Sequence, residues 1–406
     1  MHRSLLLDPT TSKNATAQNM LPMLAKGFRP FFLIAALYAI VMVPLWLAIL
    51  NGKVAANTYL EPVTWHAHEM TWGFVVAVVA GFLLTAVGNW TQRETATGAP
   101  LAVLVLLWLA GRLAMLFAAV LPRGIPAVVD LAFLPALAFV LARPLLATNN
   151  RRNFVMLGVV AALFTANLVV HLDGLALLPA GSARRANLIS VDLIVLLMTI
   201  IGGRVFPMFT RNATGVETIR GIPWLDRTSV MAMAALLLVD AVTPQAVRFS
   251  AVLAGIAGLL AAGRAVHWGA RHSWSDPLLW VLHAGYGWLV IGLLLRGAAG
   301  VFGTPFSSVA THALTVGAIG TLTLGMMARV SLGHTGRMLV APRPMASAFV
   351  AITLAALARV LVPWLAPRYY TLGLMAAGVF WVLAFAIFLA AYTPILSRPR
   401  VDGRQG

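Results

Sequence analysis

The chain has no cysteine, few acidic residues and little charge of any kind, and each shortage removes a class of function. Without cysteine there are no disulfides, iron–sulfur clusters or thiolate-ligated haem, and no C-x-x-C-H attachment of a c-type haem. Any metal must be held by His, carboxylate, Met or Tyr, and histidine ligation points to b-type haem, copper or non-haem iron. Charged residues make up 10% of the chain, against about 25% in a soluble globular domain. With 60% hydrophobic residues and a mean hydropathy of +0.88, the composition is that of a polytopic membrane protein. The shortage of acid leaves a formal net charge of +17, which raises nucleic acid as a partner. The basic residues, however, are dispersed over short loops and not gathered on one helix face, so no nucleic-acid binding is expected. Loop arginines that set topology and attract membrane lipid headgroups account for the charge. A signal peptide is also missing from the reading: Arg3, Asp8, Lys13, Lys26 and Arg29 are spread over the first thirty residues, so insertion is expected to rely on the first apolar span.

Apolar runs of about twenty residues, each enough to cross roughly 30 Å of hydrocarbon, occur twelve times. They predict spans at 29–50, 67–88, 101–121, 126–147, 154–173, 188–209, 228–244, 247–267, 277–299, 307–330, 345–365 and 369–394. The seventh is the weakest, being short and carrying Asp240. The expected fold is an all-α polytopic integral membrane protein of about twelve transmembrane helices. Residues 1–28 read as a cytoplasmic N-terminal segment, 29–394 as a single transmembrane domain and 395–406 as a cytoplasmic tail. With the N-terminus inside, nineteen loop Lys and Arg fall on the inner side and seven on the outer, so both termini are expected in the cytoplasm.

What the chain does have is histidine in costly places. Seven of its nine histidines, His66, His68, His171, His267, His283, His312 and His334, sit in or at the mouth of apolar segments. An ionisable group at membrane depth marks a pathway or a site, and neutral imidazole is both the cheapest titratable group to bury and the commonest metal ligand. The expected orientation puts His66, His68, His171 and His312 at outer helix ends. It puts His267, His283 and His334 near inner ends.

In Trp65-His66-Ala67-His68-Glu69-Met70 the two histidines lie about 200° apart on a regular helix, so they share a ligand only where the helix begins or bends. Glu69 beside them is the candidate proton-transferring catalytic group. It also starts a ridge of small residues, Gly73, Ala77, Gly81 and Thr85, along which a backbone or a flat macrocycle approaches closely. The tenth run repeats the pattern: His312-x-x-Thr315-x-Gly317 parallels His68-x-x-Thr71-x-Gly73, and Arg112 and Arg359 follow in similar phrases. This reads as a weak repeat of four-helix units. On that symmetry His68 and His312 are expected to face each other and ligate haem iron, leaving His66 and His171 for a second metal. His283, with Tyr286 and Gly287 beside it, is the inner candidate, with His267 or His334 as companion. Arginine cannot neutralise itself, so Arg112, Arg204, Arg329 and Arg359 need partners. Asp130, Asp192, Asp240, Glu69 or haem carboxylates are available, and Arg112 is the expected propionate partner. Each feature also has a plain reading as helix packing or an interfacial histidine.

Several phrases, taken in order, carry a family resemblance. They are Phe28-Arg29-Pro30-Phe31-Phe32, the Trp65-to-Met70 stretch with Gly81-Phe82-Leu83-Leu84-Thr85-Ala86-Val87, Gly202-Gly203-Arg204-Val205, the His312-to-Gly317 phrase with Gly325-Met326-Met327, and Gly333-His334-Thr335-Gly336-Arg337. Together they resemble the NnrS family from about residue 26 to Asp402-Gly403. The resemblance implies a multi-pass protein of the bacterial cell inner membrane that carries haem b and copper and belongs to the nitric oxide response. On that reading the protein binds and removes nitric oxide and confers resistance to nitrosative stress. It does so either as a nitric oxide reductase-like oxidoreductase, fed by an electron donor the sequence does not identify, or without turnover. Two other classes suit the same residues: a proton- or ion-coupled secondary transporter, and a haem-based NO sensor.

Overall fold

A computed structural model describes residues 21–404 apart from 57, 244, 303 and 304. The first twenty residues of the expected N-terminal segment therefore lie outside the described residues. Twelve long helices follow in order: α1 (Phe28–Leu50), α2 (Pro62–Thr91), α3 (Gly98–Leu116), α4 (Ile125–Ala147), α5 (Val155–Gly174), α6 (Ser182–Thr214), α7 (Pro223–Val242), α8 (Val247–Val266), α9 (Pro277–Gly300), α10 (Ser307–His334), α11 (Met345–Leu365) and α12 (Tyr370–Leu396). No strand occurs among the described residues. An all-helical chain is what the hydrocarbon demands, because a helix satisfies every backbone polar group within its own segment. Eleven of the twelve are long and apolar enough to span a membrane. The exception is α7, which carries Asp226, Arg227 and Asp240.

The helices are arranged as three units of four. In each, the first helix packs against the second helix of the preceding unit: α5 on α2, α9 on α6, and α1 on α10. The last helix of each unit meets the first of the next, α4 with α5, α8 with α9, and α12 with α1. The weak repeat in the sequence thus has a physical counterpart, a closed ring of units. The helices α2 and α10 are its most enclosed members, with 83% and 78% of their apolar stretches buried inside the protein against 56% or less in the other spans.

These two helices share a second property. In α2 the regular α-helix of Pro62–His68 gives way to a π-helical stretch at Glu69–Val75, and in α10 Pro305–His312 gives way to one at Ala313–Gly320. Both wide turns begin one residue after the histidine, and both contain a glycine of the small-residue ridge. Such insertions re-aim side chains and cluster at functional sites. The start of α2 is held by Pro62 at its first turn and by the Glu61 carboxylate, which accepts the amide protons of Val63 and Thr64 at 3.1 and 3.0 Å.

The glycine ridges turn out to be filled by aromatic rings and leave no slot for a macrocycle. A Cβ on Gly73 would lie 2.3 Å from Tyr38 Cε1, one on Gly81 would meet Phe31 and Phe32, and one on Gly317 would fall 2.7 Å from the Trp288 ring. Gly287, by contrast, faces open space. Gly73→Ala should therefore destabilise the protein by about 1–3 kcal/mol through overpacking, while Gly287→Ala is neutral or slightly stabilising. Thermal unfolding of the two variants in detergent reads the difference.

Candidate metal centre

Local geometry starts from the helix period. Because Pro62–His68 is regular α-helix, His66 and His68 point to opposite sides of α2 and are not placed to share a ligand. His66 stacks flat on Trp46 of α1, with centroids 4.4 Å apart and 8° between planes. His68 turns the other way, into α5, where its ring stands edge-on to His171 at 5.2 Å. The expected pairs are thus exchanged: His68 meets His171 rather than His312, and His66 is the electrostatic neighbour of His312.

His68 and His171 meet around one carboxylate. Asp130 Oδ2 lies 2.9 Å from His171 Nε2 and 3.3 Å from His68 Nε2, and it accepts the Asn167 amide proton at 2.8 Å. Asn167 Oδ1 sits 2.9 Å from His68 Nε2. On their far sides the imidazoles are oriented by further partners: His68 Nδ1 by Glu69 Oε1 at 2.8 Å, and His171 Nδ1 by the Tyr59 hydroxyl at 2.5 Å. Burial pushes the Tyr59 phenol above its ordinary pKa, so it stays a neutral hydroxyl. Arg112 of α3 reaches Glu69 Oε2 at 2.8 Å and also pairs with Asp130, while Tyr38 of α1 donates to Glu69. His68, Glu69, Asp130, Asn167 and His171 are all buried. Trp72 stacks on His68 at 5.0 Å, and a cavity of about 10 Å³ beside the cluster, lined by Trp72, Trp108, Arg112, Asp130 and Asn167, has room for about one water-sized species.

The bookkeeping of protons and charge in this cluster is informative. One guanidinium faces two carboxylates, which leaves one negative charge when the histidines are neutral. With Nδ1–H donated to Glu69, neutral His68 presents a bare Nε2 lone pair to two more acceptors, Asn167 Oδ1 and Asp130 Oδ2. The Asn167 amide is oriented by its own bond to Asp130, so turning it over does not relieve the clash. Converging acceptors and surplus negative charge call for a cation, either a proton on His68 or a metal ion. His68, Asp130 and His171 each offer one ligand atom, all within 4.8 Å of one another. A porphyrin does not fit here, because the Asp130 carboxylate and the Asn167 amide fill the space between the two rings.

The other expected site residues go elsewhere. His312 Nδ1 donates to the Ser308 carbonyl at 2.7 Å, so its Nε2 accepts from Arg359 at 3.2 Å and does not face His68. His283 pairs with Thr210 Oγ1 at 2.9 Å. His334 rests on the Phe28 ring at 5.8 Å, and His267 is exposed. His283 and His334 go to different neighbours and His267 is exposed, so no contact of His283 with His267 or His334 is seen among the described residues. Tyr286 is buried between Trp268 and Phe206. Of the acids offered to the arginines, Glu69 and Asp130 go to Arg112, whereas Asp192 and Asp240 both go to Arg296. Tyr38, Tyr59 and Asn167 were missed as site residues. Only Asn167 carried a signal, standing four residues before His171 and so on the same helix face.

Fold and cluster together define a polytopic helical membrane protein with a buried histidine–carboxylate centre able to bind a metal. The chain belongs to the NnrS family: the model of that family, described as NnrS protein, matches residues 22–400 of the 406. Membership makes it a membrane protein of the nitric oxide response. No curated protein matches the chain.

Asp130 is the hub of the cluster, so Asp130→Asn should leave Arg112 and the paired rings without their shared partner. Removing one member of a buried ion pair costs roughly 3–5 kcal/mol, and a drop of that size in unfolding free energy, with helix content retained at low temperature, is the expected result.

Proposed function

We propose that the protein binds nitric oxide at a single redox-active metal ion held by His68 Nε2, His171 Nε2 and an Asp130 oxygen, as a step in its removal. The observation that carries this reading is the convergence of unpaired acceptors and one uncompensated negative charge in a dry, apolar interior. Two imidazoles and a carboxylate suit copper or iron, and a metal ion there would supply an open position for a small neutral ligand. The chain supplies the rest. Glu69 and Tyr59 fix the orientation of the two imidazoles from their far nitrogens, as the outer partners of metal-bound histidines do. Arg112 pairs with both carboxylates, and Trp72 and Trp108 wall the cluster from water. Proton transfer is assigned to Glu69, which Tyr38, Arg112 and His68 all touch.

Nitric oxide is small, uncharged and membrane-soluble, and the route to the cluster is apolar. A cavity of about 290 Å³ opens between the ends of α1 and α3 and the loop before α2, lined by residues such as Leu45, Ile49, Trp65, Met115 and Phe117. The Tyr59 hydroxyl touches both Met115, at 3.6 Å, and His171, so it stands between this cavity and the cluster. Both termini are placed in the cytoplasm, in the bacterial inner membrane, with the cluster toward the outer face and electrons arriving from a donor protein.

The paired π-helical stretches of α2 and α10 favour a second reading, a proton-coupled transporter in which His68 carries the cation as a proton. Elemental analysis separates the two. The metal-centre reading expects about one copper or iron per purified chain, lost in His171→Ala and Asp130→Asn but kept in His66→Gln and His312→Gln. It also expects an infrared nitrosyl band in the wild type. A correctly folded wild-type protein without metal or nitrosyl band after expression in metal-replete medium would sink it.

A further inference from the structure

We propose that Arg359, with His312 and His66, forms a separate binding site for one small planar oxyanion or carboxylate. The site lies on the opposite side of α2 from the metal centre. The argument starts from the repeat. Arg112 and Arg359 occupy corresponding helices, α3 and α11, each beside the helix whose histidine precedes a π-helical stretch. Arg112 is neutralised by two carboxylates. In the third unit neither exists: Ala313 follows His312 where Glu69 follows His68, and α12, which corresponds to the helix of Asp130, carries no acid.

Arg359 is nonetheless 7% exposed. Its Nη2 donates to His312 Nε2 at 3.2 Å and to Ser308 Oγ at 3.4 Å, and its Nη1 is buried with no hydrogen-bond partner. No carboxylate pairs with it among the described residues; the Tyr370 ring, 6.0 Å away, is a weak substitute. A guanidinium cannot shed its charge, and an unpaired buried ion is among the costliest features a fold carries. His66 makes no hydrogen bond among the described residues and is an electrostatic neighbour of both Arg359 and His312. Stacked on Trp46, its ring is held in place. Both Nη2 protons are spent on His312 and Ser308, so the two protons of the free Nη1 are the donors left for an oxyanion. His66 stands ready to donate the next hydrogen bond. The anion comes either as a free ion such as nitrite or formate, or as the carboxylate of a bound organic molecule.

The test uses the full chain purified in detergent at low ionic strength. If the anion is free, potassium nitrite or potassium formate raises the thermal midpoint saturably, and potassium fluoride at equal ionic strength does not. Arg359→Gln should then weaken the apparent affinity about 10- to 100-fold, the equivalent of one charged hydrogen bond. Arg359→Lys, which keeps the charge but loses the free Nη1 donors, should fall between the two. If the carboxylate belongs to a bound molecule, the wild type shows no such shift. Denaturing extraction and mass spectrometry then yield a carboxylate-bearing compound at about one per chain, depleted in R359Q. Metal content of the His68 centre should be unchanged in both variants, which also reports that they fold. A wild type with neither a saturable shift nor an extractable carboxylate overturns the proposal, as does an affinity or extracted compound unchanged in R359Q or, where R359Q fails to fold, in R359K.

Discussion

Much of the first unit hangs on one buried guanidinium shared by two carboxylates. Arg112 belongs to α3, Glu69 to α2 and Asp130 to α4, so this one set of ion pairs ties three helices at a single depth. Asn167 and His171 then bring in α5 through Asp130, and Tyr38 brings in α1 through Glu69. In hydrocarbon none of these groups has water to fall back on, so each must be satisfied by the others or stay unsatisfied. The imidazole planes of His68 and His171 follow from that network, because their outer nitrogens are claimed by Glu69 and Tyr59 before the inner ones find any use. Apolar packing fills the volume around the cluster, but it does not choose these ring orientations.

The same scaffold, with its acids removed, gives the third unit an opposite problem. There the buried charge left over is positive, at Arg359, and the histidine is spent as an acceptor for it. One repeat therefore carries an excess of negative charge and the other an excess of positive charge, on opposite sides of α2. Divergence at two positions, the residue after the histidine and one residue in the fourth helix, is enough to turn a cation-seeking cluster into an anion-seeking one. The paired π-helical stretches are present in both, each containing a glycine at a close approach, Gly73 against Tyr38 and Gly317 against Trp288.

The helices were legible because length and hydropathy decide what can cross a bilayer, and those are properties of local sequence. The repeat was legible from the matching phrases His68-x-x-Thr71-x-Gly73 and His312-x-x-Thr315-x-Gly317, with Arg112 and Arg359 in similar phrases one helix further on. Which histidine meets which was not, because periodicity gives a direction around one helix axis and says nothing of the neighbour found there. The ridge of Gly73 and Gly81 correctly signalled close approach but not its occupant, which is a set of rings from α1. Asp130 was visible as a buried acid, yet its place between two imidazoles depends on α4 and α5 packing side by side, which no single segment encodes. Nor does any sequence pattern mark where an α-helix widens by one residue, and that shift begins directly after the two histidines that matter most.

Size and rigidity favour ligand binding over transport at the His68 cluster. The space beside it is about 10 Å³, and its polar walls, Arg112, Asp130 and Asn167, are all ion-paired or hydrogen-bonded. Alternating access that parted Arg112 from Glu69 or Asp130 would cost several kcal/mol per broken buried pair in each cycle. A diatomic, uncharged ligand avoids that cost, because it needs no polar path, no lid and no opening of the cluster. The apolar cavity behind Tyr59 and Met115 lies at the same end of the bundle and leads from the ends of α1 and α3 toward His171. A fixed centre reached through apolar space is the arrangement that a membrane-dissolved gas can use and that a hydrated ion cannot.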